Sequence, residues 1–100
     1  MIHRQAQYVY RSFVYDKALE HYGQTNQLIV AVEELSEAQK EICKILRGDG
    51  NMDHLAEEIA DAFIMLEQLE RLYGITEKVT EYMAHKAVRL SERIDGSKAD

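Results

Sequence analysis

The sequence predicts an all-α fold, four helices packed as a small bundle, and three observations predict it. The chain has 0 Pro and 5 Gly, and the glycines fall between long stretches or near the end of the chain. Within those stretches apolar residues recur at steps of three and four, the period of one helix face. Sustained apolar–polar alternation is missing, and no Asn-Gly or Asp-Gly turn joins two β-rich runs. Asp49-Gly50 does occur, but helix-period patterns flank it, so it reads as an interhelical loop.

The first stretch, about residues 5–21, carries Tyr8, Tyr10, Phe13, Val14, Tyr15 and Leu19 all around its circumference. A helix apolar on several sides needs more than one neighbour. After Gly23 the second stretch, about residues 26–46, gathers Leu28, Ala31, Val32, Leu35, Ala38, Ile42, Ile45 and Leu46 into one stripe. Gly48 and Gly50 frame a short loop. The third stretch, about residues 53–73, repeats the stripe with Leu55, Ile59, Ala62, Phe63, Leu66, Leu69 and Tyr73, and Gly74 ends it. The fourth covers about residues 76–94. Asp53 and Thr76 are the expected caps of the last two helices, each accepting a bond from a free backbone N–H. Residues 1–94 thus form a single helical domain, and residues 95–100, opened by Gly96, form a frayed tail.

A chain of 100 residues leaves much of its surface unburied on folding. The bundle is therefore expected to be completed by oligomerisation, as a homodimer or a dimer of dimers. Twelve Lys+Arg stand against 18 Asp+Glu, for a net charge of −6, which argues against a non-specific nucleic-acid binder. No apolar run of about 18 residues marks a membrane span, and the N-terminal residues begin no signal-peptide core. The lone Cys43 cannot form an internal disulfide and suits a reducing compartment. The expectation is a cytoplasmic protein, with Cys43 a buried, inert thiol among Ile42, Ile45 and Leu46.

Two acidic groups do not fit a plain bundle. Glu33-Glu34-Leu35-Ser36-Glu37 is followed by Glu41, and Glu57-Glu58-Ile59-Ala60-Asp61 lies on the next helix. Glu34 and Glu37, and Glu58 and Asp61, are three apart, so each pair shares a helix face where like charges repel. Asp61 sits beside Ala62-Phe63-Ile64-Met65-Leu66, and a buried carboxylate without a partner takes a proton or finds a cation. Joined by a short loop, the two helices are expected to pack as an αα-hairpin. Four facing carboxylates then suit a hard divalent cation, Mg²⁺ or Mn²⁺. The alternative is a solvated acidic face, which many helices carry. A di-iron bundle would use Glu-x-x-His, but the residues three before His21, His54 and His85 are Ala18, Asn51 and Tyr82.

Glu33-Glu34-x-x-Glu37, then 20 intervening residues, then Glu58-x-x-Asp61 resembles the signature of the MazG-like all-α nucleoside triphosphate pyrophosphohydrolases. The likeness extends to His21-Tyr22-Gly23 and Gln27, to Gly50-Asn51-x-Asp53-His54, and to Lys86-x-x-Arg89-x-x-x-Arg93-Ile94. It implies a MazG-like bundle and Mg²⁺-dependent hydrolysis of a (deoxy)nucleoside triphosphate to a monophosphate and pyrophosphate, in nucleotide-pool housekeeping. Carried over by motif, Glu34, Glu37, Glu58 and Asp61 are the metal ligands, and Glu37 with Glu33 the catalytic candidates. Glu33 is a further ligand, a water-orienting base or an exposed bystander. Lys86, Arg89 and, more weakly, Arg93 would hold phosphate oxygens. One departure is Ala84, where larger relatives often carry an Asn two residues before the matching lysine.

The residue chemistry points the same way. An acidic site binds a polyanion only through metal, which bridges phosphate oxygens and neutralises developing charge. Tyr22, Gln27 and Phe13 are residues that can stack on or hydrogen-bond a nucleobase, although such residues more often serve core or surface. His54 reads as a loop or cap residue before it reads as a ligand's partner. Two rival readings remain: a non-catalytic helical interaction module, and a metal-dependent nucleotide sensor without turnover.

Overall fold

The structure, a computed structural model, describes residues 4–98. It contains four helices, and no strand occurs among the described residues: α1 (Tyr8–Tyr22), α2 (Gln24–Leu46), α3 (Met52–Tyr73) and α4 (Thr76–Lys98). The sequence boundaries hold to within a few residues. The fourth helix continues past Gly96 to Lys98, so residues 95–98 of the expected frayed tail are helical, while residues 99–100 lie outside the described residues.

Local chemistry sets the breaks. Gly74 ends α3 in the left-handed conformation (φ 63°), which costs a side-chain-bearing residue free energy, and its N–H returns to the carbonyls of Arg71 and Glu70. Asn51, rather than the expected Asp53, caps α3: its Oδ1 accepts from the backbone N–H groups of Asp53 (2.9 Å) and His54 (3.1 Å). Asp53 is already inside the first turn, where its charge favours the helix N-terminus. His54, expected in a loop or as a cap, is instead the third residue of α3, and its backbone N–H is one of the two that Asn51 caps. Thr76 is likewise the first helical residue, not a cap. Gly50 keeps the α2–α3 turn tight, since a Cβ there would lie 2.9 Å from the Ile45 Cα.

The most extensive packing is α2 against α3, with α1 laid across both. Helix α1 runs in the same direction as α3, held by two charged clasps. Arg11 donates from Nε and Nη2 to the two carboxylate oxygens of Glu67 (2.8 Å each), and the Tyr15 hydroxyl bonds the same carboxylate. A turn further on, Arg71 donates in the same two-pronged way to Asp16 (2.6 and 2.8 Å). Gln24 Nε2 donates to the Tyr73 hydroxyl at the top of the pair. The core under these clasps is small: Tyr15, Ala31, Ala62 and Met65 are its buried apolar residues. Cys43 is exposed, which corrects the buried thiol expected from its apolar neighbours in sequence.

Helix α4 meets α3 and no other helix among the described residues. From Thr80 to Gly96 it is exposed, Met83 at 65% and Leu90 at 58% included. The radius of gyration is 16.6 Å, against about 13 Å for a compact chain of this length. The apolar residues of α1 are similarly uncovered, with Val9, Tyr10 and Phe13 all exposed.

The Glu67 clasp should dominate α1 docking. Glu67→Ala strands the Arg11 guanidinium and the Tyr15 hydroxyl, and is expected to cost about 1–3 kcal/mol, read as a lowered melting temperature by circular dichroism. Glu20→Ala, on an exposed residue, serves as the control and should leave the midpoint unchanged.

Candidate metal centre

The αα-hairpin of α2 and α3 brings acids of both motifs together. One carboxylate oxygen each from Glu34, Glu58 and Asp61 lies within 4.8 Å of the others. All three residues are half-buried. The cluster lies on α3 N-terminal to Phe63, whereas the clasps from α1 engage α3 at Glu67 and Arg71. α1 therefore packs on the C-terminal half of α3 and leaves the acidic half to α2.

Burial raises the Glu34 carboxyl above its ordinary 4.5, and the neighbouring charges of Asp61, Glu58 and Glu37 raise it further. Burial likewise raises the Glu58 carboxyl, with Asp61, Glu37, Glu57 and Glu41 adding to it. The contrast with Glu67 is instructive. Glu67 is also partly buried, yet its carboxyl falls below the ordinary value because Arg11 and Tyr15 bond it. Among the described residues, Glu34, Glu58 and Asp61 form no ion pair. Glu58 Oε2 is buried with no hydrogen-bond partner. An orphaned buried carboxylate oxygen beside two more acids, with only hard oxygen donors present, fits the chemistry of a divalent cation of the Mg²⁺ or Mn²⁺ kind.

The other expected site residues are placed as follows. Glu37 is exposed and outside the three-oxygen cluster, though close enough for its charge to act on both Glu34 and Glu58. Glu33 is exposed and not part of the cluster. Lys86, Arg89 and Arg93 lie on the exposed part of α4 and form no ion pair among the described residues. Gln27 is buried, and its Nε2 donates to the Ala18 carbonyl (3.2 Å). Tyr22 is exposed at the end of α1, its ring edge-on to His21. Both sit at the α1–α2 connection, and neither belongs to the three-carboxylate group, Gln27 lying seven residues before Glu34 on α2. Phe13 is exposed on α1.

Sequence reasoning left Glu41 without a role, yet it is among the most buried residues of the chain, at 6% exposure. Its spacing of four from Glu37 and seven from Glu34 puts all three on one face of α2, and that was the available signal. Comparison with family models, curated proteins and solved structures finds no match to this chain.

A pH dependence follows, with its sign. The folded chain holds protons on Glu34 and Glu58 at pH values where the unfolded chain releases them. Their contribution is thus fully present below about pH 4.5 and is lost as pH rises through the raised folded values. In EDTA, the melting temperature of wild type should fall more steeply above pH 4.5 than that of the Glu34→Gln/Glu58→Gln double variant. Saturating Mg²⁺ should remove the wild-type decline. Equal slopes for the two proteins in EDTA would contradict the assignment.

Proposed function

We propose that this chain is a metal-dependent nucleoside triphosphate pyrophosphohydrolase that hydrolyses a (d)NTP to a (d)NMP and pyrophosphate. The observation that carries this reading is the meeting of Glu34, Glu58 and Asp61 without a compensating cation. The paired acidic motif and its likeness to MazG-like enzymes supply the substrate class. Mg²⁺, or Mn²⁺ in its place, would be held by Glu34, Glu58 and Asp61 with Glu37 at the open edge, and would supply charge neutralisation at the phosphates.

The chain's own residues have separate tasks in this reading. The three clustered carboxylates, Glu34, Glu58 and Asp61, would hold the cation. Glu37, exposed beside them, is placed to orient or take a proton from the attacking water, with Glu33 one residue before Glu34 as the weaker candidate. Lys86 and Arg89 bind phosphate oxygens, Arg as a planar fork and Lys as a point charge.

Helix α4 must lie along α3 for those cations to act. Counting from Ile75, Asp61 is fourteen residues before and Arg89 fourteen after. A copy of α4 laid antiparallel on α3 in that register sets Arg89 level with Asp61. Val79, Met83, Leu90 and Ile94 form an apolar stripe on α4 next to the line of Lys86, Arg89 and Arg93, so burial of the stripe would bring the cations in with it. We take the cover of that stripe to be a second copy of the chain, in a homodimer or dimer of dimers. The nucleobase is left to Gln27, Tyr22 or residues brought in by assembly, and the setting is nucleotide-pool housekeeping in the cytoplasm. A nucleotide sensor or interaction module is the alternative; it would show no turnover.

The deciding experiment is pyrophosphate release from a panel of canonical and modified (deoxy)nucleoside triphosphates. Release should occur with Mg²⁺, vanish in EDTA, and fall by at least about a hundredfold in Glu34→Gln and Asp61→Asn, a scale set by removing a group that stabilises the transition state. No release from any triphosphate by the folded protein would overturn the reading. Arg89→Ala should weaken triphosphate binding more than monophosphate binding; equal losses would remove Arg89 from the phosphate site. In sedimentation, wild type should run as a dimer or larger and Met83→Glu/Leu90→Glu as a monomer.

A further inference from the structure

Glu41 is not a member of the three-carboxylate cluster, and its burial is unexplained by anything around it. Its side chain keeps only 8% of its accessible surface. Lys44, one turn on, donates to Oε1 at 3.2 Å, and this bond accounts for one oxygen only. The other, Oε2, is buried with no hydrogen-bond partner. Glu58 Oε2 across the α2–α3 seam is in the same condition. These are the two orphaned buried side-chain oxygens among the described residues, and both are carboxylate oxygens.

They lie level in the hairpin: Glu41 is nine residues before Gly50 in the α2–α3 turn and Glu58 eight after it, so the antiparallel pair sets the two side by side along the seam. Glu58 is then the shared member, grouped with Glu34 and Asp61 and flanked on the turn side by Glu41. A carboxylate with two oxygens can serve a separate cation with each.

We propose that Glu41 is a ligand of a second hard divalent cation, held between Glu41 and Glu58 and bridged by Glu58 to the cation of the Glu34–Glu58–Asp61 cluster. The proposal rests on the metal-dependent reading of that cluster and adds a site to it. Glu37 stands at the exposed edge as a further donor, and the remaining positions belong to water or phosphate oxygens, as a hard cation of this kind retains waters. Lys44 occupies Oε1 and acts as a competing cation. It weakens the second site relative to the first, so the two fill in order.

The test is the number of Mn²⁺ ions bound per chain, counted by electron paramagnetic resonance of free Mn²⁺ and by calorimetry, with the fold of each variant followed by circular dichroism. Wild type should bind two ions, the second more weakly. Glu41→Gln should bind one, with second-site affinity reduced at least about tenfold. Lys44→Met, which leaves every carboxylate in place, should tighten the second ion and leave the first unchanged; this variant keeps the proposal testable even if Glu41→Gln is poorly folded. A single ion in wild type that Asp61→Asn abolishes would overturn the second site and leave the first reading standing. Two ions in Glu41→Gln, or no effect of Lys44→Met on the second ion, would also overturn it. No ion in wild type would overturn both.

Discussion

Like charge in the seam between α2 and α3 is the constraint on which the rest depends. This is the molecule's most extensive helix pair, and it places carboxylates where apolar side chains would pack at no electrostatic cost. Glu67 shows what the chain does when a carboxylate serves the fold: it is given a guanidinium and a phenol, and its carboxyl stays charged. Burial and the same Glu67 charge push the Tyr15 hydroxyl up, so that it remains the donor in that bond. Glu34 and Glu58 receive no such partner and are pushed up instead. A fold that supplies a counter-charge at one end of α3 and withholds it at the other has left room for a charge from outside.

The placement of α1 follows the same division. Its two clasps act at Glu67 and Arg71 and so tie it to the C-terminal half of α3. On the acidic half, Arg4 ahead of α1 reaches the Phe63 ring, and of the helices α2 alone packs on it. Helix α4 follows Gly74, is exposed from Thr80 to Gly96, and carries Lys86, Arg89 and Arg93. A free helix of 23 residues with an apolar stripe is poorly stabilised in water by its own hydrogen bonds. Docking it would cover apolar surface and offset the acidic charge at once, which joins assembly and the proposed phosphate site in one event.

Much of the fold was legible in the sequence because it rests on periodicity and punctuation. The stripe from Leu28 to Leu46, its counterpart from Leu55 to Tyr73, and the glycines at 23 and 74 set three of the four helices to within a few residues. Caps were less legible: Asn51 and Asp53 are both good cap residues two apart, and the choice depends on where the turn after Gly50 releases the chain. Gly96 suggested a break, but one glycine near the end of a long helix costs only about 1 kcal/mol, and α4 continues through it. Cys43 was misplaced because Ile42, Ile45 and Leu46 are themselves mostly exposed, so apolar neighbours in sequence did not mean a buried position. In the candidate site, the spacing of three within each motif led to an expectation of four facing carboxylates, Glu34, Glu37, Glu58 and Asp61, of which the structure groups Glu34, Glu58 and Asp61 and leaves Glu37 outside. Spacing did not distinguish exposed Glu37 from buried Glu41, since both share a face with Glu34 and only the packing of α3 decides between them.

The most direct test of the account is anomalous diffraction from crystals grown with Mn²⁺. The account predicts a peak in the α2–α3 seam with oxygens of Glu34, Glu58 and Asp61 at about 2.0–2.3 Å, close to the span for hard cations on carboxylates. A seam without a Mn²⁺ peak, in which those carboxylates instead pair with lysines or arginines of a neighbouring copy, would contradict it.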